Sequence, residues 1–144
     1  MRQPDRKAKL FARMARLREV ERQAAMVRVA EAAGLHGKLI NLHARSGEIA
    51  ASYAAHEHTH SGDDLAARLT FLAGLQTILR ETEGDRRKAE RSSAEAMAAL
   101  RLAERRRDIA GERVAAERQA AEKQLAARDL PVFVRPVLAR KLKG

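Results

Sequence analysis

The apolar positions along this chain recur at alternating steps of three and four residues. Leu10, Met14, Leu17 and Ala24 hold one such register, and Leu35, Leu39, Leu42, Ile49 and Tyr53 hold another, with Ser46 standing in one seam position. From Ala24 to Leu35 is a step of 11 residues, which lets one seam continue with a local change of supercoil. This is the period of a helix with a single buried stripe. The first helix is expected to open near Pro4 and Asp5, because proline suits a first turn and an acid suits the positive end of the dipole. It is expected to run from about residue 5 to 55. Gly34, Gly37 and Gly47 each weaken it by about 1 kcal/mol relative to alanine, which predicts looseness or a kink there.

The segment HEHTHSGDD, residues 56–64, breaks the pattern, and Ser61 or Asp63 can cap the next helix. That second helix, 64–129, opens on DDLAARLTFLAGLQTIL, of whose 17 residues ten are hydrophobic. From Arg80 to Glu95 the chain is charged, polar or small. A weaker seam returns at Ala96, Leu100, Ala103, Ala110, Val114 and Ala121. Small seam residues let helices approach closely but bury little area, so modest stability is expected. Leu130-Pro131 disfavours helix at the preceding residue, which sets residues 130–144 apart as a flexible, basic and apolar tail.

Two long helices joined by a short turn predict an all-α fold, a long antiparallel two-helix coiled-coil hairpin over residues 1–129, with the turn at 56–63. Folding about residue 60 pairs Leu10 with Ala110, Leu17 with Ala103 and Ile49 with Phe71. It also brings both chain ends together.

Composition narrows this picture. The chain has 144 residues, 33% charged and 3% aromatic, with no tryptophan or cysteine, so neither a thick core nor a disulfide framework is expected. No apolar run reaches the length of a membrane span, and no signal-peptide core follows the basic N-terminus, so a cytoplasmic protein is expected. The net charge is +10, and the excess sits at the ends. Residues 1–18 set seven basic side chains against Asp5, and residues 128–144 set five against Asp129.

Candidate chemistry is sparse. His56, His58 and His60 alternate as zinc or nickel ligands can, with Glu57, Asp63 and Asp64 nearby. They lack cysteine support and a second shell, and a solvated turn explains them more simply, so no metal site is expected. His36 and His43 read as ordinary helix-face residues. No nucleophile–base arrangement, P-loop or dinucleotide fingerprint appears, and a two-helix hairpin has no concave pocket of the usual enzyme kind. The chain reads as a non-enzyme, with no cofactor and no small-molecule substrate. Nucleic acid is a weaker reading. Its electrostatic footprint is present at the ends, but the aromatic platforms are missing and Arg86-Arg87-Lys88 and Arg105-Arg106-Arg107 are interleaved with acids.

The leucine-rich block carries the most information. At about 100° per residue, with Leu65 at zero, Leu69, Leu72 and Leu79 fall within about 40° of it. Those four predict the stripe facing helix 1. Phe71, Leu75 and Ile78 fall at about 240°, 280° and 220° and make a second, abutting stripe. Either helix 1 is displaced or its last turns fold over Phe71, or the second stripe is a docking face of the helix-in-groove kind.

This layout resembles the FliJ family, the small coiled-coil component of the bacterial flagellar type III export apparatus. The resemblance spans nearly the whole chain: its length, the basic first helix, the turn before the middle, and the block LAARLTFLAGLQTIL with its F-x-x-x-L core. A long polar helix ending AERRRDIAGERVAAERQAAEKQLAARD completes it. The resemblance implies a non-catalytic stalk that couples the export ATPase hexamer to the membrane export gate, at the cytoplasmic face of the inner membrane and without inserting in it. It implies that Phe71 and Leu75, with Ile78 beside them, contact the gate protein. The basic terminal end, Arg6, Lys7, Lys9, Arg13 and Arg16, would enter the ATPase ring. The Pro-containing tail, the His-rich turn and the glycines of helix 1 depart from the family pattern. A generic coiled-coil scaffold and a basic nucleic-acid-binding hairpin are the alternatives.

Overall fold

The protein is all-α. The computed structural model describes the backbone of residues 3–55 and 61–143 and the side chains of residues 6–55 and 61–129. Two helices, α1 (Gln3–Ala55) and α2 (Gly62–Lys143), pack against each other, and no strand occurs among the described residues. Ser61 caps α2: its Oγ accepts from the Asp64 amide at 3.2 Å, and Asp63 and Asp64 lie in the first turn beside the positive end of the dipole. No described helix is long and apolar enough to cross a membrane.

The chain forms two compact units. Unit 1 joins the first 24 residues to the segment from Arg101 onward, and unit 2 comprises Ala25–Leu100. In unit 2 the least exposed α1 positions are 25, 29, 32, 36, 39, 43, 46 and 50, an unbroken alternation of four and three. The α2 positions 68, 72, 75, 79, 82, 86, 89, 93, 96 and 100 do the same. In unit 1 the alternation runs through 11, 15, 18 and 22, against 103, 107, 110, 114, 117 and 121. This is coiled-coil spacing, but its occupants are unusual. The buried positions are Ala25, Ser46, Leu75, Thr82 and Ala89, while most large aliphatic side chains of α1 are exposed.

The seam therefore lies beside the large residues. In α2 it passes through Leu72, Leu75 and Leu79, between the two stripes expected from the block. Leu65 and Leu69, expected to face α1, are exposed, whereas Leu75, expected on the docking stripe, is 8% exposed. The reason is geometric: the stripes abut, so a single partner helix is best covered from their shared edge, which Leu72, Leu75 and Leu79 occupy. In α1 the seam includes Leu39 and Ser46 as expected, but Leu10, Met14, Leu17, Leu35, Leu42 and Ile49 are exposed.

The pairing register also differs from expectation by one helical turn. Phe71 packs against Tyr53, ring centroids 4.5 Å apart and planes tilted by 38°, instead of meeting Ile49. In unit 1, Met14 and not Leu10 shares a groove with Ala110. The pairs His43–Thr82, Gly47–Leu79 and Glu19–Arg107 are shifted in the same direction, by five or six residues. Arg68 donates to the Tyr53 carbonyl at 2.7 Å and lies 5.5 Å over its ring, which locks that turn of α1 to the start of the α2 seam.

α1 runs unbroken through Gly34, Gly37 and Gly47, and no described glycine has positive φ. Their neighbours are strong helix formers, which carry the weaker residues. One further expectation is corrected: helix does not end at Asp129, since α2 continues through Pro131 and Pro136 to Lys143. Proline removes one amide donor and crowds the carbonyl four residues back, but its fixed φ is helical, so it can be carried inside a helix at a cost. The side chains of the expected flexible tail, residues 130–144, lie outside the described residues, as do His56, His58 and His60.

Candidate docking faces

Seam positions place each neighbouring side chain on one flank or the other. In an antiparallel pair, the residues one before the seam on both helices fall on the same side. In unit 2 these are Leu35, Leu42 and Ile49 from α1 and Phe71 and Ile78 from α2, all exposed. Phe71 stays 44% exposed even with Tyr53 against one ring face, and Ile78 stays 43% exposed. Tyr53 thus gives Phe71 the partial cover expected from the last turns of α1. The structure unites Phe71 and Ile78 on one outer strip and assigns Leu75 to the core, which removes Leu75 from the candidate docking residues.

The opposite side of unit 2 also carries exposed apolar residues, Met26, Ile40, Leu69 and Met97, each one after a seam position. An open cleft there is lined by His43, Leu79, Arg80, Glu83, Gly84 and Arg87. Thr82 donates its hydroxyl proton to the Ile78 carbonyl at 2.7 Å. The same hydroxyl lies 3.2 Å from His43 Nδ1, within hydrogen-bond distance across the two helices. The His43 Nε2 then lies 3.8 Å from the Glu83 carboxylate. Glu83 accepts two hydrogen bonds from Arg86, at 2.9 and 2.7 Å, and one from Arg87 at 3.1 Å. The Arg86 hydrogen bonds are the main reason its carboxyl falls from 4.5 to about 2, with Arg87 adding to the effect.

A folded-state value below the unfolded one stabilises the fold above the unfolded value and loses that contribution as pH falls. The stability advantage of the native chain over Glu83→Gln is therefore full above pH 4.5 and declines as acid approaches pH 2. Thermal melts of both proteins across this range check it. A difference that holds constant down to pH 2 would contradict the Arg86–Glu83 assignment.

Unit 1 has a charged seam. Arg22 grips Glu19 at 2.7 Å, and Arg107 reaches the same carboxylate at 3.8 Å from α2. The Glu19 carboxyl is lowered chiefly by the Arg22 hydrogen bond, then by the charges of Arg22 and Arg107. The Arg22 guanidinium is raised chiefly by its hydrogen bond to Glu19, with Glu104 contributing charge. The Arg22–Glu19 pair lies within α1 and the Arg107 contact joins it to α2; partly exposed pairs of this kind contribute little to stability. The basic residues expected at the terminal end, Arg6, Lys7, Lys9, Arg13 and Arg16, are all exposed on α1.

A further groove, in unit 1, was not expected from the residue pattern. It has a volume of about 200 Å³ and is lined by Phe11, Met14, Arg18, Arg106, Ile109, Ala110 and Arg113. Its signal was available in principle, since Met14, Arg106 and Arg113 sit one before seam positions. Arg105-Arg106-Arg107 reads as a uniform charge run until the register separates Arg106, on the groove, from Arg107, in the seam.

Comparison with known proteins adds no relative: no family model, no curated protein and no solved structure matches this chain.

Proposed function

We propose that this chain is a non-catalytic stalk and coupling factor of the flagellar type III export apparatus. In this reading it is a peripheral protein at the cytoplasmic face of the inner membrane. Its basic residues Arg6, Lys7, Lys9, Arg13 and Arg16 engage the export ATPase hexamer, and Phe71 and Ile78 dock on the membrane export-gate protein. The observation that carries the reading is the outer strip of unit 2, where an aromatic and an aliphatic side chain one heptad apart, Phe71 and Ile78, stay exposed in the first part of α2. The all-helical pair and the exposed basic residues of α1 support it.

Binding to the cytoplasmic domain of the gate protein tests it. Phe71→Ala with Ile78→Ala is expected to weaken binding by about tenfold or more, as loss of a buried aromatic anchor does. Helical content is expected to stay unchanged. Unaltered affinity, or loss of the fold in the double variant, would remove the docking assignment.

A further inference from the structure

We infer that the groove of unit 1 is a second interaction surface, built to seat an acidic amphipathic helix of a partner protein. The proposal goes beyond the export reading and does not depend on it. Its floor is apolar: Phe11, Met14, Ile109 and Ala110. Met14 and Ile109 are 38% and 52% exposed, and Leu10, Leu17 and Leu102 extend the apolar surface along the same flank. Three guanidinium groups, those of Arg18, Arg106 and Arg113, line the groove, and among the described residues no carboxylate does.

The charge pattern decides the occupant. Arg18 already holds Glu21 at 3.0 Å, but Glu21 is not part of the lining. The Arg113 guanidinium lies 5.5 Å over the Phe11 ring, a cation–π contact that keeps its charge, and it makes no ion pair among the described residues. Asp108 pairs with Arg107, which is itself turned to the seam, and Glu112 is exposed on α2 outside the lining. A second copy of this chain would bring the same arginines against these, so like charge disfavours it. A helix with apolar residues at i, i+4 and i+7 and carboxylates on either side matches both floor and rim.

The test uses the full chain and a fluorescent synthetic helix carrying leucines at i, i+4 and i+7 flanked by glutamates. The same peptide with lysines in place of the glutamates, and vesicles of phosphatidylglycerol and phosphatidylcholine, serve as the other arms. Saturable anisotropy change is expected with the acidic peptide only. Arg106→Glu with Arg113→Glu is expected to weaken it by about tenfold or more, and Met14→Glu alone to do the same. Arg80→Glu with Arg91→Glu changes net charge equally but lies in unit 2, and is expected to leave binding unchanged. Circular dichroism confirms that each variant is folded. Equal binding of the two peptides, equal loss in both charge-reversal variants, or binding to the vesicles without binding to the acidic peptide would overturn the proposal.

Discussion

Leu75→Ala is expected to lower the unfolding free energy by about 2–3 kcal/mol, whereas Leu69→Ala, six residues earlier, should change it by less than about 0.5 kcal/mol. Both residues are leucines on the same helix, and both belong to the same apolar block. The difference is burial: Leu75 is 8% exposed and Leu69 is 59% exposed. Removing three carbon atoms from a buried site forfeits their transfer free energy and leaves a void. The cost should sit at the low end of the usual range, because the seam is one layer deep and its neighbours can close on the space. Leu72 and Leu79 flank Leu75 in the seam, and no fully buried large side chain stands behind them among the described residues. Thermal or urea unfolding followed at 222 nm measures the effect. Equal losses for the two variants would mean that the seam runs elsewhere.

That contrast also marks what could be read from the residues alone. The pair of packed helices was legible in the periodicity, and a cap at Ser61 or Asp63 in the cluster SGDD, of which the structure uses Ser61. The facing side of each helix was not. Periodicity reports where large apolar residues lie, and here they flank the seam because alanine, serine, threonine, histidine and arginine occupy it. Ala25, Ala89, Ser46 and Thr82 are as deeply buried as any leucine, yet none of them stands out in a hydrophobic pattern. The one-turn register shift has a similar origin. A turn centre near residue 60 counts residues, whereas the register is set by contacts the count cannot see, such as Phe71 on Tyr53 and Thr82 on His43. Phe71 and Ile78 were legible as surplus. Leu75 was misassigned because it lies at the edge the two stripes share, where an angle of a few tens of degrees separates core from surface.

Gly34→Ala combined with Gly37→Ala is expected to raise the unfolding free energy by about 1.5–2 kcal/mol, close to twice the helix-interior difference between the two residues. Both glycines lie inside α1, both have φ in the ordinary negative range, and a Cβ added at either meets nothing within 4 Å. Nothing in the fold therefore opposes the methyl groups, and the gain comes from restricting the unfolded chain. Gly47→Ala behaves differently in kind: its Cβ would meet the Leu79 Cδ2 at 3.9 Å, an ordinary contact, so a small packing gain adds to the propensity. Hydrogen exchange separates the two sources. The double variant should slow exchange most in the amides around residues 34–41, where unit 2 has only Val29, Ala32, His36 and Leu39 to hold α1 to its partner. If stability rises without added local protection, the glycines were not the weak turn of α1. A fall in stability would contradict the open space around both positions.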